Sequence, residues 1–113
     1  MYKKILQKKA YKKITADDLK FVMENDEPPL LVDVCEEWEF HRNHIEGAVN
    51  IPLSIIDTFV HEITTKFPEY NEIVVYCTFG VRSKTAATIL NKHGFKNVYS
   101  LIGGSSSYFR SQQ

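Results

Sequence analysis

Short apolar runs alternate with segments of helical periodicity along most of the chain. The run Ile73–Tyr76 is β-branched and aromatic, and it is the clearest predicted strand. Further strands are predicted at Leu30–Val34, Ala48–Ile51 and Asn97–Leu101. Strands that alternate with helices in this way indicate an α/β fold with an open, mostly parallel sheet and helices on both faces.

Capping residues and apolar spacing predict the helices between these strands. Thr15 is expected to cap a first helix, with Asp18 at the capping-box position, and Ser54 is expected to cap a later one, with Asp57 in the same role. The other helices are predicted at Glu36–Asn43, at Arg82–His93 with Gly94 as the stop signal, and from Gly103-Gly104 onward.

A length of 113 residues with 43% hydrophobic and 25% charged residues indicates one globular domain. The net charge is zero, but residues 1–13 carry six lysines and no acid, which leaves eight basic against fourteen acidic residues in the remainder. We therefore divide the chain into a basic N-terminal arm, 1–12, and a single domain, 13–113. The arm is interpreted as a solvated segment, so no nucleic acid partner is expected.

The cellular location and the metal content follow from what the sequence lacks. Two cysteines are too few for a disulfide framework, and the sequence contains no CxxC pair that would indicate a zinc site. No apolar run approaches the ~20 residues that span a bilayer, and the first residues lack the apolar segment of a secretory signal. We expect a cytoplasmic protein without membrane contact, metal or other cofactor.

Cys77 directly follows the predicted strand Ile73–Tyr76, at the edge of the sheet where parallel α/β folds place their active sites. The short loop that leads into the next helix can turn its backbone N–H groups inward, and the helix N-terminus adds partial positive charge. Both features stabilise a thiolate, which is the nucleophilic form of cysteine. Gly80 permits a positive φ in the loop, and Arg82 offers a cation to an oxyanion substrate.

Three parts of the chain together resemble the signatures of rhodanese-like domains, in the order and spacing of that family. The segment Cys77–Ser83 resembles the active-site loop, and Gly103-Gly104 with Tyr108 resembles the C-terminal signature. The N-terminal signature is similar to Leu31–Val34, Glu39-Phe40 and His44–Pro52. The resemblance implies a rhodanese-like, five-stranded sheet.

The resemblance also implies a rhodanese-type sulfurtransferase of the thiosulfate:cyanide kind. Cys77 would take sulfane sulfur from thiosulfate or a persulfide donor, carry it as a persulfide and pass it to a thiophilic acceptor. Arg82 would assist catalysis, and the partner could be a persulfide-donating or sulfur-carrier protein. The substrate-binding loop would comprise Thr78, Phe79, Gly80, Val81 and Ser83.

Two positions depart from the family pattern. Cys35 stands where an arginine usually follows the Asp-Val pair, and Tyr108 replaces a tryptophan. Cys35 is interpreted as structural, with a role as a resolving thiol left open. Trp38 is expected in the core, and Asp33 and His44 are expected to make structural hydrogen bonds.

Two other functions remain open at this stage. Rhodanese-like domains also serve as non-catalytic binding or regulatory modules, although these lack the cysteine. The Cdc25-type phosphatases and arsenate reductases share the fold, but their loop is one residue longer by resemblance. Only four residues separate Cys77 from Arg82 here, and this shorter loop favours a single sulfur atom over a phosphate.

Overall fold

The computed structural model describes residues 11–111, so most of the predicted basic arm lies outside the described residues. Its centre is a five-stranded sheet in the order β1-β5-β4-β2-β3, in which every pair of neighbours is parallel. The strands are β1 (Lys12–Ile14), β2 (Leu30–Asp33), β3 (Val49–Asn50), β4 (Ile73–Tyr76) and β5 (Val98–Leu101).

Residues 11–111 also form six α-helices and one 3₁₀ turn, of which five helices and the turn lie between strands and the last helix follows β5. The helices are α1 (Ala16–Met23), α2 (Glu37–Arg42), α3 (Leu53–Ile56), α4 (Val60–Lys66), α5 (Val81–Lys92) and α6 (Gly104–Arg110). The 3₁₀ turn, Asp57–Phe59, lies between α3 and α4. None of the helices in the described part of the chain is long and apolar enough to cross a membrane.

The sheet is covered on both faces, as the continuous apolar strands predict. Alternate side chains of β2 and β4 enter two separate cores, so Val32 and Val75 face one core while Leu31 and Val74 face the other. The first core includes residues of α3, α4 and α5, and the second includes residues of α1 and α6. The predicted α/β architecture is therefore confirmed.

The first strand was not recognised in the sequence pattern. Lys12, the last residue of the predicted arm, pairs with Tyr99 of β5, and Ile14 pairs with Leu101. Three residues, two of them lysines, are too few to show an apolar alternation. The strand extends the sheet on the side opposite to β3.

The cap of the first helix is confirmed, whereas the cap expected at Ser54 is wrong. Thr15 Oγ1 accepts the Asp18 N–H at 3.1 Å. The helix α3 instead begins at Leu53 after Pro52, whose ring presets the backbone, and the Leu53 N–H donates to the Val34 carbonyl at 2.9 Å. Ser54 lies inside the first turn, and its hydroxyl donates to Glu36.

Tyr76, the last residue of β4, links the sheet to the segment that leads into β3. Its side chain is buried, and its hydroxyl oxygen accepts the Ile45 N–H at 2.9 Å. Burial raises the pKa of Tyr76, so the hydroxyl stays protonated at neutral pH. This contact satisfies a buried backbone donor directly beside the end of β4.

Tyr76→Phe should lower the free energy of unfolding by about 1–3 kcal/mol, because it leaves the buried Ile45 N–H without an acceptor. The melting temperature reports the loss. Tyr99→Phe is the control, since the Tyr99 hydroxyl has no hydrogen bond to any of residues 11–111. Equal melting temperatures for the two variants would contradict the assigned contact.

Candidate active site

Cys77 lies at the carboxyl end of β4, and its side chain is 1% exposed. Its Sγ accepts the N–H of Gly80 at 3.1 Å and the N–H of Ser83 at 3.4 Å. One donor belongs to the loop and the other to the first turn of α5. Two N–H dipoles that converge on one sulfur favour a negative charge there, as the loop sequence predicted.

Gly80 and Ser83 shape the loop around this sulfur. Gly80 has a φ of +96°, and a Cβ at this position would lie 3.3 Å from the Gly103 nitrogen, so glycine serves both conformation and space. The Ser83 hydroxyl is fully buried, donates to the Gly80 carbonyl at 3.3 Å and shares a 2.8 Å hydrogen bond with Ser100. Ser83 therefore stabilises the loop through these two hydrogen bonds. No pattern in the sequence predicted that Ser100 would be its partner.

The start of α6 holds the other side of the loop through backbone contacts. The Ser105 N–H donates to the Cys77 carbonyl at 2.8 Å, and the Ser106 N–H donates to the Thr78 carbonyl at 3.0 Å. A Cβ at Gly104 would lie 2.4 Å from both carbonyl oxygens. The loop can therefore pack this closely against α6 only because the Gly103-Gly104 motif has no side chain at residue 104.

Arg82 lies beside the loop, but its charge is paired. The guanidinium donates to both carboxylate oxygens of Glu39, at 2.7 and 3.1 Å. This hydrogen bonding lowers the pKa of Glu39 and raises the pKa of Arg82, so both groups are charged at neutral pH. Arg82 was expected to offer its cation to an oxyanion substrate, whereas in the structure its partner is Glu39, a residue of the N-terminal family signature that was not predicted to pair with it.

The remaining loop residues point in different directions. Phe79 and Val81 are 71% and 72% exposed, on either side of Gly80. Thr78 lies deeper, with its hydroxyl 3.5 Å from an Arg82 nitrogen. The structure therefore gathers Cys77 and its two amide donors into one site and leaves two apolar side chains at the rim.

Trp38 was expected in the core, and this expectation is wrong, because the side chain is 61% exposed. The six-residue helix α2 buries none of its side chains, so Trp38 projects outward. It lines an open groove of about 360 Å³ together with Thr78 and Phe109. Arg42 lies over the indole ring, 5.9 Å from its centre.

Cys35 lies close to the loop, although it was interpreted as structural. Its Sγ is 3.6 Å from the Thr78 hydroxyl and 3.5 Å from an Arg82 nitrogen, and its N–H donates to the buried carboxylate of Asp33. Burial raises the pKa of the Cys35 thiol to about 11. Cys35 is consequently a protonated thiol at neutral pH, which disfavours a nucleophilic role.

The expected hydrogen bonds of the polar residues are present. His44 Nδ1 is 2.8 Å from the Phe40 carbonyl oxygen, and the two rings stack. Asp33 is buried and accepts the hydrogen bond from the Cys35 backbone. Within residues 11–111, no group of three or more His, Cys, Asp or Glu side chains could hold a metal ion.

This fold and this cysteine loop define a class of protein. The sequence profile of the rhodanese-like domain matches residues 15–111. The chain therefore belongs to the rhodanese-like domain family.

Individual relatives agree with this assignment. The chain is 31% identical over 99 residues to a tRNA uridine(34) hydroxylase of Buchnera aphidicola, with 86% of this chain and 31% of that protein covered. It is 34% identical over 91 residues to a putative sulfur carrier protein, YrkF, of Bacillus subtilis, with 80% and 47% covered. The chain thus spans less than half the length of these two relatives.

A solved structure shows the same fold. The rhodanese-related protein of Thermoplasma volcanium superposes with a TM-score of 0.73 at 25% identity, and the match covers 89% of this chain and 93% of that one. The predicted rhodanese-like sheet is confirmed by this similarity.

Gly104→Ala should abolish the docking of the loop on α6, because the added Cβ would overlap two carbonyl oxygens. We expect a loss of more than about 3 kcal/mol in the free energy of unfolding. Gly94→Ala is the matched control: it also has a positive φ, but nothing lies within 4 Å of the added Cβ, so only about 1–2 kcal/mol of backbone strain should appear. Chemical denaturation of both variants measures the difference, and equal losses would contradict the docking argument.

The raised pKa of Cys35 predicts slow alkylation at neutral pH. In a Cys77→Ser variant Cys35 is the only thiol, and its rate of reaction with iodoacetamide should rise with pH, with a midpoint at about 11. The rate rises because only the thiolate reacts. Circular dichroism at each pH checks that the fold is retained, and a rate that levels off near the free-thiol value of ~8.5 would refute the prediction.

Proposed function

We propose that the protein is a rhodanese-type sulfurtransferase that carries sulfane sulfur as a persulfide on Cys77. One observation carries the proposal: a buried cysteine sulfur at the end of a central strand accepts two backbone N–H groups, one from its own loop and one from the first turn of α5. Such an arrangement stabilises a sulfur anion without any metal or organic cofactor.

The reaction is a double displacement. The Cys77 thiolate attacks the outer sulfur of a donor such as thiosulfate, the sulfur–sulfur bond of the donor breaks, and its electron pair leaves with sulfite. A nucleophilic acceptor then attacks the outer sulfur of the Cys77 persulfide, and the electron pair of the breaking bond returns to Cys77 as thiolate. The loop amides stabilise the negative sulfur at each stage.

The size of the loop favours sulfur over phosphate. The backbone N–H groups of Gly80 and Ser83 are already directed at Cys77 Sγ, and four residues separate Cys77 from Arg82. A phosphate needs space and donors for several oxygens, whereas a persulfide adds one atom. We therefore prefer a sulfurtransferase to a phosphatase or an arsenate reductase, and the intact cysteine argues against a purely non-catalytic module.

The relatives suggest a physiological setting. A sulfur carrier name occurs among them, so a thiol or a sulfur-carrier protein is our proposed acceptor. Both cysteines are free thiols in the structure, which supports a reducing compartment such as the cytoplasm.

Cys77→Ser should abolish thiosulfate:cyanide sulfurtransfer and leave the fold intact, because a hydroxyl cannot carry sulfane sulfur. Thiocyanate formation measures the activity, and intact mass spectrometry shows whether one sulfur atom is added to the wild type. Cys35→Ser is the control, and it should retain most of the activity and the sulfur uptake.

Three results would count against the proposal. Retained turnover by a folded Cys77→Ser protein would exclude the mechanism. Efficient hydrolysis of aryl phosphates by the wild type would favour a phosphatase. Failure of wild-type Cys77 to take up sulfur from any donor would favour a binding module.

A further inference from the structure

The ion pair beside the catalytic loop bears on which sulfur donor the site accepts. We infer that Glu39 is a specificity-determining residue, which cancels the charge of Arg82 and so directs the site toward organic sulfane donors with one negative charge rather than the thiosulfate dianion. Alkyl and aryl thiosulfonates and persulfides belong to this class. The inference rests on the proposed sulfurtransferase function.

The pair is held firmly on both sides. Glu39 Oε1 accepts Arg82 at 2.7 Å and also accepts the Glu36 N–H at 2.9 Å, which caps the start of α2. Arg82 is fixed in the first turn of α5, beside Ser83, whose N–H reaches the catalytic sulfur. A donor could recruit Arg82 only by displacing a carboxylate that the helix cap already orients.

The Arg82–Glu39 pair also lies beside the loop that a donor must reach. An Arg82 nitrogen is 3.5 Å from the Thr78 hydroxyl, directly after the catalytic cysteine in the chain. The four residues between Cys77 and Arg82 carry no charge. Once Glu39 neutralises Arg82, two sources of attraction for a small anion remain: the loop amides, which the Cys77 sulfur already occupies, and Arg42, which lies over Trp38 in the groove.

The surroundings of the loop suit a donor with an apolar body. Phe79 and Val81 are largely exposed on the loop itself, and Trp38 is exposed in the groove that Thr78 and Glu39 also line. An aryl or alkyl group can cover these side chains, whereas thiosulfate has no such group. Apolar contact therefore favours the organic donor, while charge gives little advantage to the dianion.

Glu39→Gln tests the inference, because the amide oxygen keeps an acceptor for the helix cap while the negative charge is removed. We expect kcat/KM to rise about tenfold for thiosulfate but only about threefold for benzenethiosulfonate, since the Coulomb energy of the freed Arg82 is proportional to the charge of the donor. Thiocyanate formation at low ionic strength measures both values. The gain should shrink as salt is added.

Two further variants serve as controls. Glu37→Gln removes the same charge from the same helix, but its side chain is 79% exposed and is paired with His41, so neither donor should gain. Glu39→Gln combined with Arg82→Gln should lose the gain, because no cation remains to be freed. An equal change for both donors, or an equal gain in Glu37→Gln, would overturn the inference.

The wild type provides a further test. Its kcat/KM for thiosulfate should change little with ionic strength, because Glu39 compensates the charge of Arg82 and the pair exerts little net attraction on the anion. A steep fall with salt that persists in an Arg42→Gln variant would show that Arg82 acts as a free cation and would overturn the inference. Absence of sulfur uptake from both donors would instead count against the sulfurtransferase function itself, so the two failures can be told apart.

Discussion

The attachment of the Cys77 loop to the start of α6 is the contact on which the rest of the site depends. Two consecutive carbonyls, of Cys77 and Thr78, accept the N–H groups of Ser105 and Ser106. This fixes the first half of the loop, so that the turn at Gly80 can bring its own N–H to the sulfur. The contact consists only of backbone atoms, and it requires that residue 104 has no side chain.

The parallel sheet brings together groups that are distant in the sequence. Asp33 and Tyr76 are partners in the register of β2 and β4, so the residues that follow them emerge side by side. This is why Cys35, after β2, meets Thr78, after β4, and why α2 can present Glu39 to Arg82. The carboxyl edge of the sheet thus brings Cys77 and the Arg82–Glu39 ion pair into one region.

The sequence was a good guide wherever a local pattern determined the structure. The strand Ile73–Tyr76 follows from an apolar run, and the position of Cys77 at the carboxyl edge of the sheet follows from the geometry of parallel sheets. The errors concern residues whose environment depends on distant elements. Ser54 does not cap the helix, because the hydrogen bond from Leu53 N–H to the Val34 carbonyl makes the helix begin at Leu53. Trp38 is exposed because α2 is too short to bury a face, and the Arg82–Glu39 pair depends on where that helix lies.

Groups of different kinds interact with the Cys77 sulfur and with the Arg82 guanidinium. The Cys77 sulfur accepts hydrogen bonds from backbone amides, which do not titrate, whereas the positive guanidinium of Arg82 is compensated by the Glu39 carboxylate, whose pKa is lowered. Neither group changes its charge near neutral pH, so the environment of the sulfur is constant there, unlike a site in which a histidine must lose a proton. Within residues 11–111, the hydrogen-bond donors to Cys77 Sγ are backbone amides, so none of them gains or loses a proton near neutral pH.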